Sequence, residues 1–125
     1  MGLFGRFASK KEAAPQEFEI KWGTMMPVMT REGAIRARGI CTVVVNNLAI
    51  FAEKIGAPEN IGQVRNVILR HVTDQIGEQS VTGELVQVIA QPGLMEPGLK
   101  TRLESDFKAV GLSLRSVIVE SVEKI

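Results

Sequence analysis

The stretch that most constrains the fold is residues 97–125, where a helical pattern passes into a strand pattern through one glycine. Gly111 marks the junction, because glycine tolerates the positive φ angle that follows the last turn of many helices. Residues 112–122 continue as an extended run rich in β-branched side chains, which predicts a strand. The preceding helix has one apolar face, formed by Leu99, Leu103, Phe107 and Val110. This strand needs a sheet to join, and the earlier part of the chain should supply it.

Two upstream stretches have the alternation that is typical of strands. Residues 18–22 alternate apolar and charged side chains, and the apolar ones should point inward. Residues 34–46 alternate over a longer span, with Arg36 and Arg38 on the face opposite Ile35 and its apolar neighbours. We expect the C-terminal strand to insert beside one of these two strands.

Helical patterns occupy the middle of the chain. A short helix is predicted after the two asparagines at 46–47 and ends at Gly56. A longer helix is predicted over residues 60–77, and residues 78–93 favour a further short helix. Pro97 fits the first turn of the last helix. The order of elements predicts an α+β fold, with a small antiparallel or mixed sheet, helices packed on one side, and the N- and C-terminal strands in the same sheet.

The N-terminal residues 1–17 are predicted to be a flexible leader, and residues 18–125 to be the domain. The leader combines bulky apolar with basic side chains, namely Leu3, Phe4, Arg6, Phe7, Lys10 and Lys11. This combination suits contact with an anionic membrane surface, although a frayed terminus or packing against a neighbour would also account for it. No apolar run approaches the roughly 20 residues needed to span a bilayer.

A methionine cluster and the single cysteine follow the first strand. Methionines such as Met25, Met26 and Met29 can form an adaptable contact surface or fill gaps in a core, and we expect core filling. Copper could bind thioethers, but no neighbouring ligand supports such a site. Cys41 lies in an apolar run and is the only cysteine, so it predicts a buried thiol and excludes a disulfide within the chain.

The sequence contains no recognisable reaction centre. His71, the only histidine, lies beside the apolar stripe of its helix without a nucleophile or second ligand nearby, which favours a structural role. Phosphate-loop, zinc and hydrolase motifs are missing. The net charge of +1 and the scarcity of aromatic residues argue against nucleic-acid binding. We therefore predict a protein that is not an enzyme and has no cofactor, metal or small-molecule substrate.

Several segments together resemble a known family. They are residues 21–24, the run Ile35 to Gly39 leading into 41–45, the segment 48–56, the helix 64–76 and the ending Val110 to Leu114. In this order they are similar to the SPFH superfamily of stomatin, prohibitin and flotillin, also called band 7. The resemblance covers about residues 17–125 and is nearest to the bacterial subgroup termed virion-core-protein-like.

The resemblance implies a non-enzymatic scaffold that self-assembles on a membrane and organises membrane patches or partner proteins, in some relatives during envelope stress. It would place this chain in the cytoplasm, peripheral at the inner face of the cell membrane. Its partners would be anionic lipid, further copies and membrane proteins. The leader would contact the membrane. From the residues themselves, Arg36, Arg38, Val117 and Val119 could form an assembly edge. Many relatives continue into a coiled coil, and no heptad run is present here.

A second interpretation stays open beside the first. The chain could be a soluble protein–protein assembly module, such as a shell or adaptor subunit without lipid contact. The leader would then dock into a neighbouring subunit, and strand 34–46 or the terminal strand would offer a pairing edge. For Arg36 and Arg38 the sequence leaves two readings, a basic edge or an ordinary solvated face.

Overall fold

A computed structural model describes residues 17–56 and 60–125. Of the predicted leader, only Glu17 lies among these residues. In chain order the elements are β1 (Glu17–Gly23), β2 (Val28–Thr30), β3 (Gly33–Val45), α1 (Leu48–Lys54), α2 (Gly62–Thr82), α3 (Leu85–Ala90), a 3-10 helix (Pro92–Met95), α4 (Glu96–Ala109) and β4 (Leu112–Lys124). The predicted α+β class is confirmed.

The described strands form one antiparallel sheet with β3 at its centre. Along one side of β3 run β1, which pairs with residues 38–44, and β2, which pairs with residues 33–35. Along the other side β4 pairs with residues 35–45, with register shifts after Arg38 and Thr42. The prediction that the N- and C-terminal strands belong to one sheet is therefore confirmed, and the partner of β4 is the longer of the two expected strands.

One face of the sheet carries the hydrophobic core. Alternate residues of β1, β3 and β4 point toward α2 and α4 because side chains in a strand alternate between faces. The buried residues include Ile20, Trp22, Ile35, Cys41 and Val43 from the sheet, and Val64, Ile68, Val72, Ile76, Leu99, Leu103 and Phe107 from the helices. Removal of this apolar surface from water is the main stabilising contribution.

Gly39 permits the closest approach within the sheet. A Cβ atom at this position would lie 2.1 Å from the carbonyl oxygen of Ile118 and 2.5 Å from Cζ2 of Trp22. Trp22 is the cross-strand partner of Gly39, and its indole therefore packs directly over the main chain of β3 at this position. Any larger residue at 39 would push β1, β3 or β4 apart.

The predicted turn from helix to strand is confirmed at Gly111. Its φ angle is +82°, and its carbonyl accepts hydrogen bonds from the amides of Asn46 (2.9 Å) and Asn47 (3.2 Å). The start of β4 is thus fastened to the end of β3. Asn47 also caps α1, since its Oδ1 accepts from the amide of Ile50 at 3.1 Å.

Helix α2 is longer than predicted. It continues through Gly77 to Thr82 and ends at Gly83, whose φ angle is +84°. Ser80 near its end is buried, and its hydroxyl accepts from the amide of Arg31 at 3.0 Å. This contact with the β2–β3 turn stabilises the last turn of α2, while the internal Gly77 costs about 1 kcal/mol relative to alanine. The short helix predicted in 78–93 is confirmed as α3.

The expectation that the methionine cluster fills the core is wrong. Met25, Met26 and Met29 are 88%, 81% and 75% exposed. The chain between β1 and β2 loops out from the sheet, and Met29 of β2 points away from the core on the same face as Ala34. Strand β2, which holds Met29, was not predicted, because three residues are too few to show an alternating pattern.

Candidate functional site

The face of the sheet that points away from the helices, here called the outer face, carries the residues with no role in the core. From β3 it includes Ala34, Arg36, Arg38, Ile40, Thr42 and Val44. Their cross-strand neighbours on this face are Glu17, Glu19, Lys21, Met29, Ser113, Ser116, Ile118, Ser121 and Glu123. Among the described residues, no helix lies over this face. The outer face is acidic where β1 begins and basic where β3 begins.

The basic end contains two arginines whose head groups form no ion pair or side-chain hydrogen bond with another described residue. Arg36 and Arg38 are both exposed and flank a concavity of about 300 Å³ whose lining also includes Thr24, Ser121 and the acidic Glu123. Glu123 lies opposite Arg36 in the ladder, but its carboxylate accepts from the Ser121 hydroxyl at 3.0 Å. Within 17–56 and 60–125, neither guanidinium group thus has a carboxylate at ion-pair distance.

The other arginines of α2, α4 and β4 behave differently. Arg70 lies 3.3 Å from Asp106, Arg115 lies 3.3 Å from Glu17, and Arg102 is bonded to Glu78. In α2, Arg65 donates to the carbonyl oxygen of Lys21 at 2.8 Å and so covers part of the β1 edge. Internal contacts thus account for these arginines but not for Arg36 and Arg38.

The methionines lie next to this basic end. Thr24 still pairs with Ala37, since its amide donates to the Ala37 carbonyl at 2.9 Å, and Val28 pairs with Ile35. Residues 25–27 consequently loop out at the level of Arg36. Met29 pairs with Ala34, which places it on the outer face together with both arginines.

The four residues predicted to form an assembly edge lie on two strands. Arg36 and Arg38 are exposed on the outer face of β3, the central strand, whereas Val117 and Val119 belong to β4. Val117 and Val119 are buried beneath the helices, so only their main-chain atoms could contribute to an edge. Among the described strands, β3 alone pairs with β4. Along the other side of β4 lies a groove of about 430 Å³ lined by Glu96, Lys100 and Arg115, and the Val119 amide donates to Glu96 at 2.9 Å.

His71 joins two helices. Its Nε2 atom lies 2.7 Å from the carboxylate of Asp106, which also pairs with Arg70. Asp106 borders a cavity of about 200 Å³, which is below the roughly 300 Å³ of the smallest ordinary ligand pockets. The arrangement fastens α2 to α4. Sequence reasoning missed Asp106 because 35 residues separate it from His71.

Cys41 is a buried thiol, as predicted. Burial raises the pKa of this thiol to about 12, and an interaction with the Trp22 side chain opposes the increase. A thiol with such a high pKa is a poor nucleophile, because the thiolate is the reactive species. Within 17–56 and 60–125, no three His, Cys, Asp or Glu residues are grouped in a way that could hold a metal ion.

The residues predicted to contact the membrane, Leu3, Phe4, Arg6, Phe7, Lys10 and Lys11, lie outside the described residues. Of the helices that the structure describes, none has the length and apolar character to cross a bilayer.

Comparison with known proteins identifies the family. A search of curated proteins found no match. The sequence model of the SPFH domain-Band 7 family matches residues 12–124, which includes every strand and helix described above. The chain therefore belongs to the SPFH domain-Band 7 family.

Proposed function

We propose that this protein is a non-enzymatic scaffold that self-assembles at the cytoplasmic face of a bacterial cell membrane and organises lipid patches or partner proteins there, including during envelope stress. The SPFH/Band 7 domain is generally a membrane-associated, scaffold-like domain whose members self-associate. The family match over nearly the whole chain is the observation that carries the proposal.

The absence of a developed reaction centre among the described residues is consistent with this role. The thiol of Cys41 is buried and of low reactivity, and His71 is engaged with Asp106. Catalysis by general bases or nucleophiles requires such groups to be positioned in a cleft beside a substrate. The polar chemistry of this domain lies instead on an open sheet face, which suits contact with an extended partner.

The leader supplies the first membrane contact in this proposal. Its three apolar residues would insert between lipids, and its basic residues would be attracted to anionic headgroups by about 1 kcal/mol each. One copy would bind weakly, and assembly would multiply the affinity. Because β1 begins at Glu17, the leader is joined directly to the sheet, and its attachment to lipid would hold the domain at the surface.

Cosedimentation with vesicles tests the leader. We expect the full chain to bind mixed phosphatidylglycerol–phosphatidylcholine vesicles, less so at high salt, and a chain lacking residues 1–11 to bind more weakly. Replacing Leu3, Phe4 and Phe7 by serine, or Arg6, Lys10 and Lys11 by glutamine, separates the apolar from the ionic part. Binding that is unaffected by the deletion would contradict the role of the leader.

A soluble assembly module is the second candidate, and the position of β4 favours it. This strand is 13 residues long and pairs on one side only within the described sheet, and such an edge can accept a strand from another molecule. Mass measurement in lipid-free buffer distinguishes the candidates. A discrete large particle would support the module, whereas assembly only on vesicles would support the membrane scaffold.

A further inference from the structure

Three methionines and two arginines form one continuous amphipathic surface at the end of the sheet where β3 begins. This surface, here called the Met–Arg surface, consists of Met25, Met26, Met29, Arg36 and Arg38. Its methionines are the three most exposed of the large apolar side chains in the described residues, at 75–88%. Solvent-exposed apolar clusters of this kind mark contact sites.

The sheet register holds these residues together. Residues 25–27 loop out beside Arg36 because Thr24 is bonded to Ala37 and Val28 pairs with Ile35. Met29 shares the outer face with the arginines, across from Ala34. The register thus brings the three exposed methionines and the two arginines to the same end of the sheet.

We propose that the Met–Arg surface docks this domain onto an anionic phospholipid bilayer, as a second membrane contact distinct from the leader. The inference rests on the proposed membrane association. The methionines would enter the boundary between headgroups and acyl chains, where their unbranched side chains adapt to a fluid surface. The guanidinium groups of Arg36 and Arg38 would meet lipid phosphates, which they can bind through paired N–H donors.

Charge complementarity favours lipid over a second copy of the chain. A two-fold contact through this surface would bring Arg36 and Arg38 of both copies close together, and Glu123 is the only described carboxylate in the concavity that they flank. The surface therefore keeps a net positive charge. Like charges across an interface oppose association. An anionic bilayer supplies many negative groups in a plane and does not require a fixed complementary shape.

Vesicle binding by the full chain tests the inference. We expect the triple variant Met25→Ser/Met26→Ser/Met29→Ser to lower partitioning onto phosphatidylglycerol–phosphatidylcholine vesicles by about tenfold or more. The double variant Arg36→Gln/Arg38→Gln should lower it by about 30-fold at low salt, and the difference should shrink at high salt. Both effects should persist in chains that lack residues 1–11.

Two control variants test whether the loss of charge or of hydrophobicity elsewhere on the surface has the same effect on vesicle binding. Lys100→Gln/Lys108→Gln removes two exposed positive charges from α4, and Val86→Ser/Leu94→Ser removes two exposed apolar groups on the helical side. Both should bind within about twofold of the unmodified protein. Circular dichroism and the thermal midpoint confirm that each variant is folded.

Peroxide oxidation gives a readout at the level of single residues. In free protein, Met25, Met26 and Met29 should be converted to sulfoxides well before Met95, which is fully buried. Anionic vesicles should slow the oxidation of the three exposed methionines several-fold and leave Met95 unchanged. Equal oxidation rates with and without bound vesicles would overturn the inference.

The remaining outcomes separate this inference from the proposed function. Vesicle binding by the unmodified chain that neither the methionine nor the arginine variant weakens would overturn the Met–Arg surface and leave the membrane scaffold intact. No binding of the unmodified chain to anionic vesicles would overturn both. A lipid-free dimer that the methionine variant dissociates would also refute the lipid assignment, since the occupant would then be a second copy.

Discussion

Replacement of Gly39 by alanine is the sharpest test of the sheet geometry. The added methyl group would lie 2.1 Å from the Ile118 carbonyl oxygen and 2.5 Å from the Trp22 ring. Both contacts are far inside van der Waals separation, and one of them is to main chain. Neither can be relieved by rotating a flexible side chain, so β3 must move away from β4 or from the indole.

The magnitude follows from overpacking in a core. Insertion of one methyl group commonly costs about 1–3 kcal/mol and occasionally more, and the clash with a strand carbonyl places Gly39→Ala at the upper end, about 3 kcal/mol. In a domain of this size that corresponds to a loss of about 10 °C or more in the melting temperature. The same substitution at Gly77 is the control, because a Cβ there meets nothing within 4 Å. Gly77→Ala in a helix should stabilise the protein by about 0.5–1 kcal/mol.

Urea unfolding monitored by tryptophan fluorescence measures both effects. Trp22 is the only tryptophan and packs on Gly39, so its emission reports both global unfolding and local displacement. We expect a lower midpoint and a red-shifted native emission for Gly39→Ala, and a slightly higher midpoint with unchanged emission for Gly77→Ala. If both variants had the midpoint of the unmodified protein, the close approach at Gly39 would be refuted.

Two further predictions concern Gly111, which is bonded to the residues that follow β3, and the thiol of Cys41 within β3. Gly111→Ala forces a positive φ angle on alanine and places its Cβ 2.5 Å from the Asn47 carbonyl oxygen, so it should cost about 2 kcal/mol or more in the free energy of unfolding. For Cys41, the pKa is raised from 9.0 to about 12 in the folded state, so the unfolded chain releases the thiol proton at lower pH. The resulting stabilisation is complete below pH 9 and is lost as the pH rises toward 12. Cys41→Ala should flatten this decline in denaturant midpoint measured across the alkaline range, and an identical slope in both proteins would contradict it.

Local chemistry explains what could be predicted from the sequence. The stop at Gly111 and the cap at Asn47 depend on conformational preferences of single residues and their nearest neighbours. The strand faces follow from alternation over residues 34–46, which is long enough to fix which side is buried. These signals located the central strand, the terminal strand and the inward position of Cys41 without knowledge of the tertiary structure.

Tertiary pairing explains what could not be predicted. Residues 28–30 are a strand only because β3 turns back beside them at Gly33. The last turn of α2 depends on the contact of Ser80 with Arg31 across 49 positions. Met25 and Met26 are exposed because the β1–β2 connection leaves the sheet, and Met29 is exposed because it points to the outer face. Composition encodes neither position. The hydrophobicity of these methionines predicted a place in the core, but the path of the backbone holds them in solvent.

The positions of the two proposed membrane contacts, the leader and the Met–Arg surface, would constrain how the domain lies on a bilayer. Glu17, where the leader joins, is opposite Val44, and Arg36 lies eight residues earlier on the same strand. At about 3.3 Å per residue the two points are about 26 Å apart. The ten residues from Phe7 to Glu17 could span at most about 35 Å, so the leader is long enough to reach the plane of the methionines. Glu19 would be repelled by an anionic surface, and Glu17 less so because it is paired with Arg115. This repulsion favours an orientation with the Met–Arg surface lowest and the start of β1 raised. In that orientation each contact raises the effective concentration of the other, so removing both should weaken vesicle binding far more than removing either one.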